Sequence, residues 1–262
     1  MAKNIVKKVR NLKLAVHETA PLAVHFFAKD ISNTLRAFQE EGNTDVLFLS
    51  SGGSALEALD SIDEDVISPL LTIGVLDERF DPSNRVSNYM QLRKTTFYKR
   101  AVARGCRLID TSTKKGQTQE ELADFYETEL LNWRTLHPKG VIFVTMGLGS
   151  DGHTAGIMPF PEDRERFKKL FESSRLVVSY DAGTKNPYPN RITVTMSFLR
   201  KVNAASIFIV GAGKGPVFRR LIESEDCAEI PGCIMKSLSR GTVHVDRELM
   251  RGANYPLPKE HH

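Results

Sequence analysis

The 262-residue chain has only three cysteines, one tryptophan and no apolar run of bilayer-spanning length. Cys106, Cys227 and Cys233 are too few, and wrongly spaced, for a disulfide framework or a zinc site. The expectation is isolated reduced thiols and no metal. With no hydrophobic span and no signal-peptide pattern, the chain reads as a soluble cytoplasmic protein without a membrane partner. Charge of one sign is also scarce, since the formal net charge is +4. No Lys/Arg block is dense enough to hold nucleic acid, and Lys3, Lys7, Lys8 and Arg10 read as a solvated helix face. A small positive excess does suit an anionic metabolite. The closing Glu260-His261-His262 could be the start of a purification tag.

What is present is a full core's worth of apolar side chains, 41% of residues, in a length that fits one large α/β unit over residues 1–262. Short apolar runs recur with helical patterns between them. Val46-Leu47-Phe48-Leu49, Leu71 to Leu76, Cys106 to Ile109, Val141 to Met146, Leu176-Val177-Val178, Ile192 to Thr195 and Ser206 to Val210 read as strands. Thr242 to Val245 would close the sheet near its edge. Thr118 to Leu136 is an amphipathic helix with Leu122, Phe125, Tyr126, Leu130 and Trp133 on one face. The region before Asp45 reads as one or two helices, with Ala23, Val24, Phe26 and Phe27 packing on the sheet. Strand, loop and helix in repetition predict a doubly wound, mostly parallel open α/β sheet with helices on both faces. Asp181 to Asn190 is turn-rich and reads as a surface loop.

Chemistry collects where strands end. Met146-Gly147-Leu148-Gly149-Ser150-Asp151-Gly152-His153-Thr154-Ala155 follows the 141–146 run and puts a carboxylate two residues before an imidazole on a glycine turn. At the C-terminal edge of an open α/β sheet, this is a candidate acid/base pair: His153 as base, Asp151 as its orienting partner. Ser50 to Ser54 is a small turn whose N–H groups and hydroxyls could cradle a phosphate. It has neither P-loop nor dinucleotide-fingerprint spacing, and an ordinary serine-rich N-cap explains it equally well. Asp77-Glu78-Arg79 at the end of another strand is solvated or part of a site, with Arg79 able to clamp an anion. Arg191 and Lys214 stand near strand ends as further candidate cations or as surface charges. No His, Cys and carboxylate cluster has metal-ligand spacing.

Ser51-Gly52-Gly53-Ser54, Asp77-Glu78-Arg79, Ser87-Asn88-Tyr89, the Gly147–Ala155 segment with Pro159, Arg191-Ile192-Thr193 and Gly211-Ala212-Gly213-Lys214 occur in an order that resembles the 6-phosphogluconolactonase and glucosamine-6-phosphate deaminase family, from about Val46 to Lys214. The resemblance implies a fold class shared with ribose-5-phosphate isomerases and CoA transferases. It also implies a phosphorylated sugar lactone as substrate, and no cofactor. The phosphate would meet Ser51, Gly52, Gly53, Ser54, Asp77, Arg79, Arg191 and Lys214. His153, held by Asp151, would activate water. Within the family, Arg79 after the Asp-Glu pair is similar to the lactonases. Met158 stands where deaminases carry a glutamate that tunes the histidine. The chain departs from the family pattern at Ala55-Leu56 and at Gly156-Ile157-Met158, where a missing serine hydroxyl could widen the pocket or shift the substrate. Two rivals stay open: an amino-sugar-phosphate deaminase, and a non-catalytic sugar-phosphate sensor lacking the usual helix-turn-helix.

Overall fold

The computed structural model describes residues 5–9, 12–42, 44–53 and 55–255; Lys3, Arg10 and Glu260 to His262 lie outside the described residues. The N-terminal segment departs from the helical expectation. It forms two strands, β1 (Ile5–Val9) and β2 (Leu12–His17), paired antiparallel, so Lys7 and Lys8 lie on a strand. Only then comes α1 (Ala20–Glu40), capped by the Thr19 hydroxyl and burying Ala23, Phe27, Ile31 and Leu35 at helical spacing.

The chain continues through β3 (Val46–Ser50), α2 (Ala55–Leu59), β4 (Leu71–Val75), β5 (Asp77–Arg79), α3 (Asn88–Leu92), α4 (Thr96–Ala103) and β6 (Arg107–Leu108). Then follow α5 (Gln119–Leu136), β7 (Val141–Gly147), α6 (Arg164–Phe171), β8 (Val177–Asp181), β9 (Asn190–Val194) and α7 (Met196–Leu199). The last elements are β10 (Ala204–Phe208), α8 (Gly215–Glu223), β11 (Gly241–Asp246) and α9 (Arg247–Gly252). The main sheet has the order β1-β2-β11-β10-β7-β3-β4-β6, and every pairing in it except β1 with β2 is parallel. β11 is therefore interior, between β10 and β2, rather than near the edge.

The strands are apolar runs because both faces are covered. Within β3, Val46 and Phe48 face the core beneath α1 to α4, whereas Leu47 and Leu49 face the opposite core, with α5 and α8. α5 starts with a capping box: Glu121 N–H donates to the Thr118 hydroxyl at 3.2 Å, and Thr118 N–H donates to the Glu121 carboxylate at 2.8 Å. Leu122, Tyr126, Leu130 and Trp133 form its buried stripe. Phe125 does not belong to it and is 41% exposed. At 100° per residue it sits roughly 60° beyond the stripe's edge.

A second correction concerns β5, β8 and β9. They do not extend the parallel sheet but form a small antiparallel sheet in the order β5-β9-β8. It folds Asp77 to Arg79 over the C-terminal edge of the large sheet. Strand order reverses between β3 and β7: the chain moves outward to β4 and β6 on one side, then to β10 and β11 on the other. Such a switch point opens a crevice at the carboxyl ends of the strands.

The expected reduced thiols also need correcting. Cys227 and Cys233 are joined in a disulfide with their Cα atoms 5.4 Å apart, and Cys106 is a buried free thiol. A separation of six residues looks too short for a framework, yet the turn at Pro231 to Ser237 brings the two side chains together.

Candidate active site

A cleft of about 390 Å³ lies at this switch point, lined by the β3 turn, the β7 turn, the start of β5, the 186–188 segment and Lys214. At its β7 wall, Gly147 ends the strand and a tight turn follows. Gly149 N–H donates to His153 O at 2.8 Å, and Gly152, at φ +98°, donates to Gly149 O at 3.0 Å. The turn brings His153 Nδ1 to 2.5 Å from Asp151 Oδ1, and the same oxygen accepts the His153 backbone N–H at 3.1 Å. With a carboxylate on Nδ1, that nitrogen carries the proton, and Nε2 is left as the basic nitrogen for the cleft. Burial raises the Asp151 pKa, but the hydrogen bonds and charge of His153 outweigh it, and the carboxyl sits below its ordinary value. Gly149 is a requirement of this pair. A Cβ there would lie 2.1 Å from His153 Nδ1 and 2.7 Å from Asp151 Oδ1.

Across the cleft, the β5 residues take three different roles. Asp77 is buried in the wall, where Arg191 Nη1 donates to its carboxylate at 3.1 Å. Arg191 also donates from Nε to Tyr188 O at 3.0 Å and from Nη2 to Asn186 Oδ1 at 2.8 Å, so this cation is largely committed. Glu78 is neither solvated nor part of the cleft lining. It is 1% exposed and accepts from Arg79 N, Ser87 Oγ, Asn88 N, Tyr89 N and Thr111 Oγ1. Burial pushes its carboxyl up to about 7, against the pull of those donors. Arg79 lines the cleft, and its guanidinium has neither a carboxylate partner nor a hydrogen bond among the described residues. Lys214 follows the Gly211 turn on the far side, and loss of solvent lowers its pKa.

At the β3 turn, Ser51 donates its N–H to Thr145 Oγ1 at 2.9 Å and packs its hydroxyl there too. That N–H is therefore spent. The amides of Gly52 and Gly53 have no acceptor among the described residues, and Gly53 needs its φ of +73°. Ser54 lies outside the described residues. α2 is only five residues long, so anion binding here depends on individual N–H groups more than on a helix dipole.

Ser51, Gly52, Gly53, Asp77, Arg79, His153, Arg191 and Lys214 line the cleft; Asp151 stands behind His153, and Ser50 and Glu78 are not in the lining. Arg79, Arg191 and Lys214 against Asp77 leave the lining with an excess of positive charge, which favours an anionic ligand. Asn88 was not singled out as a site residue. Its Nδ2 donates to Asp77 O at 2.9 Å, while Oδ1 is buried without a partner beside Gly52, where a Cβ would meet it at 2.6 Å. Tyr188 was missed as well; its ring lies 4.8 Å from Arg79 Cζ. Gly156 lines the cleft. At φ +71° it packs against Asp77, where a Cβ would approach to 2.7 Å, and Ile157 and Met158 are fully buried.

A family model described as glucosamine-6-phosphate isomerases/6-phosphogluconolactonase matches residues 18–244. The human protein named 6-phosphogluconolactonase is 25% identical over 167 residues, 63% of this chain and 61% of that protein. The protein of that name from Pseudomonas aeruginosa is 25% identical over 162 residues, 61% of this chain and 65% of that protein. The matches thus span about three fifths of the length of these two curated relatives. Among solved structures, the 6-phosphogluconolactonase from Plasmodium vivax superposes with a TM-score of 0.74 at 15% identity, covering 95% of this chain and 96% of its own. The Trypanosoma brucei structure gives 0.72 at 18% identity, covering 91% and 97%. These structural likenesses are likenesses of fold.

Proposed function

Because the chain belongs to the glucosamine-6-phosphate isomerase/6-phosphogluconolactonase family, we propose that it hydrolyses 6-phospho-D-glucono-1,5-lactone to 6-phospho-D-gluconate, a step of the oxidative pentose phosphate pathway. The observation that carries this reading is the Asp151–His153 pair, joined at 2.5 Å and set in one cleft with the unpartnered Arg79. The relatives named above are consistent with it.

In the proposed reaction the phosphate is held by Arg79 and Lys214, with the free N–H groups of Gly52 and Gly53 within the same cleft. Arg191 acts through Asp77 and the 186–188 segment more than by direct contact. Water attacks the lactone carbonyl carbon while His153 Nε2 takes its proton. Asp151 keeps Nδ1 protonated and offsets the imidazolium charge. The tetrahedral oxyanion requires a stabilising charge; the Gly149 and Gly152 amides are bonded within their own turn, so a cleft cation supplies it. Collapse breaks the ring C–O bond, and the imidazolium returns its proton to the departing ring oxygen. A lactone is an activated ester, so positioning and one base, worth roughly 10²–10⁴-fold for the base, meet the demand without a covalent nucleophile or a metal.

The test is a coupled assay on freshly made lactone, corrected for spontaneous hydrolysis. The parent chain should accelerate opening, and His153→Ala should lose about 10²–10⁴-fold in kcat while its circular dichroism is kept. Undiminished turnover in that variant would remove His153 from the reaction. Ammonia release from glucosamine 6-phosphate would favour the deaminase instead.

A further inference from the structure

Asn186, Pro187 and Tyr188 line the cleft and are tied to its wall by hydrogen bonds. Asn186 Oδ1 accepts from Tyr188 N–H at 3.0 Å and from Arg191 Nη2 at 2.8 Å, and Tyr188 O accepts from Arg191 Nε at 3.0 Å. Arg191 is in turn anchored on Asp77. The two prolines flanking Tyr188 fix φ on either side of it, so the backbone at this point is stiff and laced to the cleft wall.

Against that fixed backbone the tyrosine side chain is anomalous. It is 40% exposed, and its hydroxyl has no hydrogen-bond partner among the described residues. The contact that stands out is with Arg79, whose Cζ lies 4.8 Å from the ring centroid. Arg79 Nε is buried and unpartnered. A guanidinium normally meets its in-plane donors with a carboxylate or carbonyl, and leaving them empty carries a desolvation cost. A ring stacked on its face consumes none of those in-plane donors. The contact therefore restrains the Arg79 guanidinium without using its N–H groups.

We infer that Tyr188 is a positioning residue for anion recognition: its ring holds the Arg79 guanidinium with its N–H edge turned to the cleft, ready for the phosphate of a sugar phosphate. The inference rests on the sugar-phosphate reading for its choice of anion. A long arginine side chain loses rotamer freedom when it binds, and the ring contact removes part of that loss before the ligand arrives. Recognition through the ring face needs the aromatic group and not the hydroxyl.

The test compares the parent chain with Tyr188→Ala, Tyr188→Phe, Arg79→Gln and the Tyr188→Ala/Arg79→Gln double variant. On the phosphorylated lactone, Tyr188→Ala should raise KM roughly 3–30-fold, the range of a cation–π contact, with kcat changed far less. Tyr188→Phe should restore the parent KM. In the Arg79→Gln background, Tyr188→Ala should add no further loss. An unchanged KM in Tyr188→Ala, a loss in Tyr188→Phe equal to that in Tyr188→Ala, or full additivity in the double variant would each overturn the inference. If the parent chain fails to hydrolyse the lactone, the functional reading falls. The inference is then decided by the rise of thermal midpoint with inorganic phosphate, which should be strong in the parent and Tyr188→Phe and weak in the other variants. No rise in the parent, or an equal rise in Tyr188→Ala, would sink it.

Discussion

At the scale of single residues, the candidate base is positioned by what is missing from Gly149. A methyl group there would occupy the space of the His153 ring, 2.1 Å from Nδ1. Gly149→Ala should therefore push the imidazole off Asp151 and lower kcat about as much as loss of the base, roughly 10²-fold or more, while overpacking costs about 1–3 kcal/mol of stability. Lactone turnover set beside a urea midpoint separates the two effects. Parent-like turnover would mean that the pair does not depend on this turn. The Asp151–His153 pair could be read from sequence because its members are two residues apart on one turn, so their meeting is a local event. Arg191 with Asp77 joins residues 114 apart, and Arg79 meets Tyr188 across more than 100 positions. No spacing rule reaches such pairs. Ser51 shows the converse failure: its turn looked free to bind, but Thr145 on the neighbouring strand takes its N–H.

At the scale of elements, parallel strands such as β3 and β7 announced themselves because burial on both faces demands unbroken apolar runs. β8 and β9 also contain short apolar, β-branched runs, so their membership in a separate antiparallel sheet was invisible; direction and partner are not written in local hydrophobicity. The N-terminal strands were missed because a short lysine-bearing segment next to a long helix gives little periodicity to read. The loop closed by Cys227 and Cys233 matters beyond itself. Gly232 N–H donates to Gly152 O at 3.0 Å, and Ile230 packs against Gly152, so this element buttresses the turn that carries His153. Thiol titration in denaturant checks the pairing. Without reductant one thiol, Cys106, should react, and after reduction all three. Three reactive thiols before reduction would refute the pairing. Closing so short a loop contributes about 2 kcal/mol by the chain-entropy estimate, so a Cys233→Ser variant should unfold at a measurably lower urea concentration.

At the scale of the whole molecule, two buried titrating groups far apart oppose one another. His17 on β2 is 3% exposed; its Nε2 lies 3.1 Å from His244 Nδ1 on β11, and His244 in turn faces Asp30 on α1 at 3.4 Å. Burial, and then the His244 imidazole, lower the His17 pKa from 6.5 to about 4. A base so depressed contributes stability that is full above pH 6.5 and is lost as pH falls toward 4. Glu78, beneath the cleft, behaves oppositely. Its carboxyl is raised from 4.5 to about 7, so its contribution is full below pH 4.5 and fades as pH rises toward 7. Between these limits folding takes up one proton at Glu78 and gives up one at His17, so the two slopes, each at most about 1.4 kcal/mol per pH unit, nearly cancel. Each variant should uncover the other group. Relative to the parent chain, Glu78→Gln should gain stability as pH rises from 4.5 to 6.5, and His17→Gln should lose it over the same window. Urea midpoints at intervals across that range measure both. If both variants run parallel to the parent, neither group titrates abnormally, and the donors around Glu78 hold it ionised in spite of its burial.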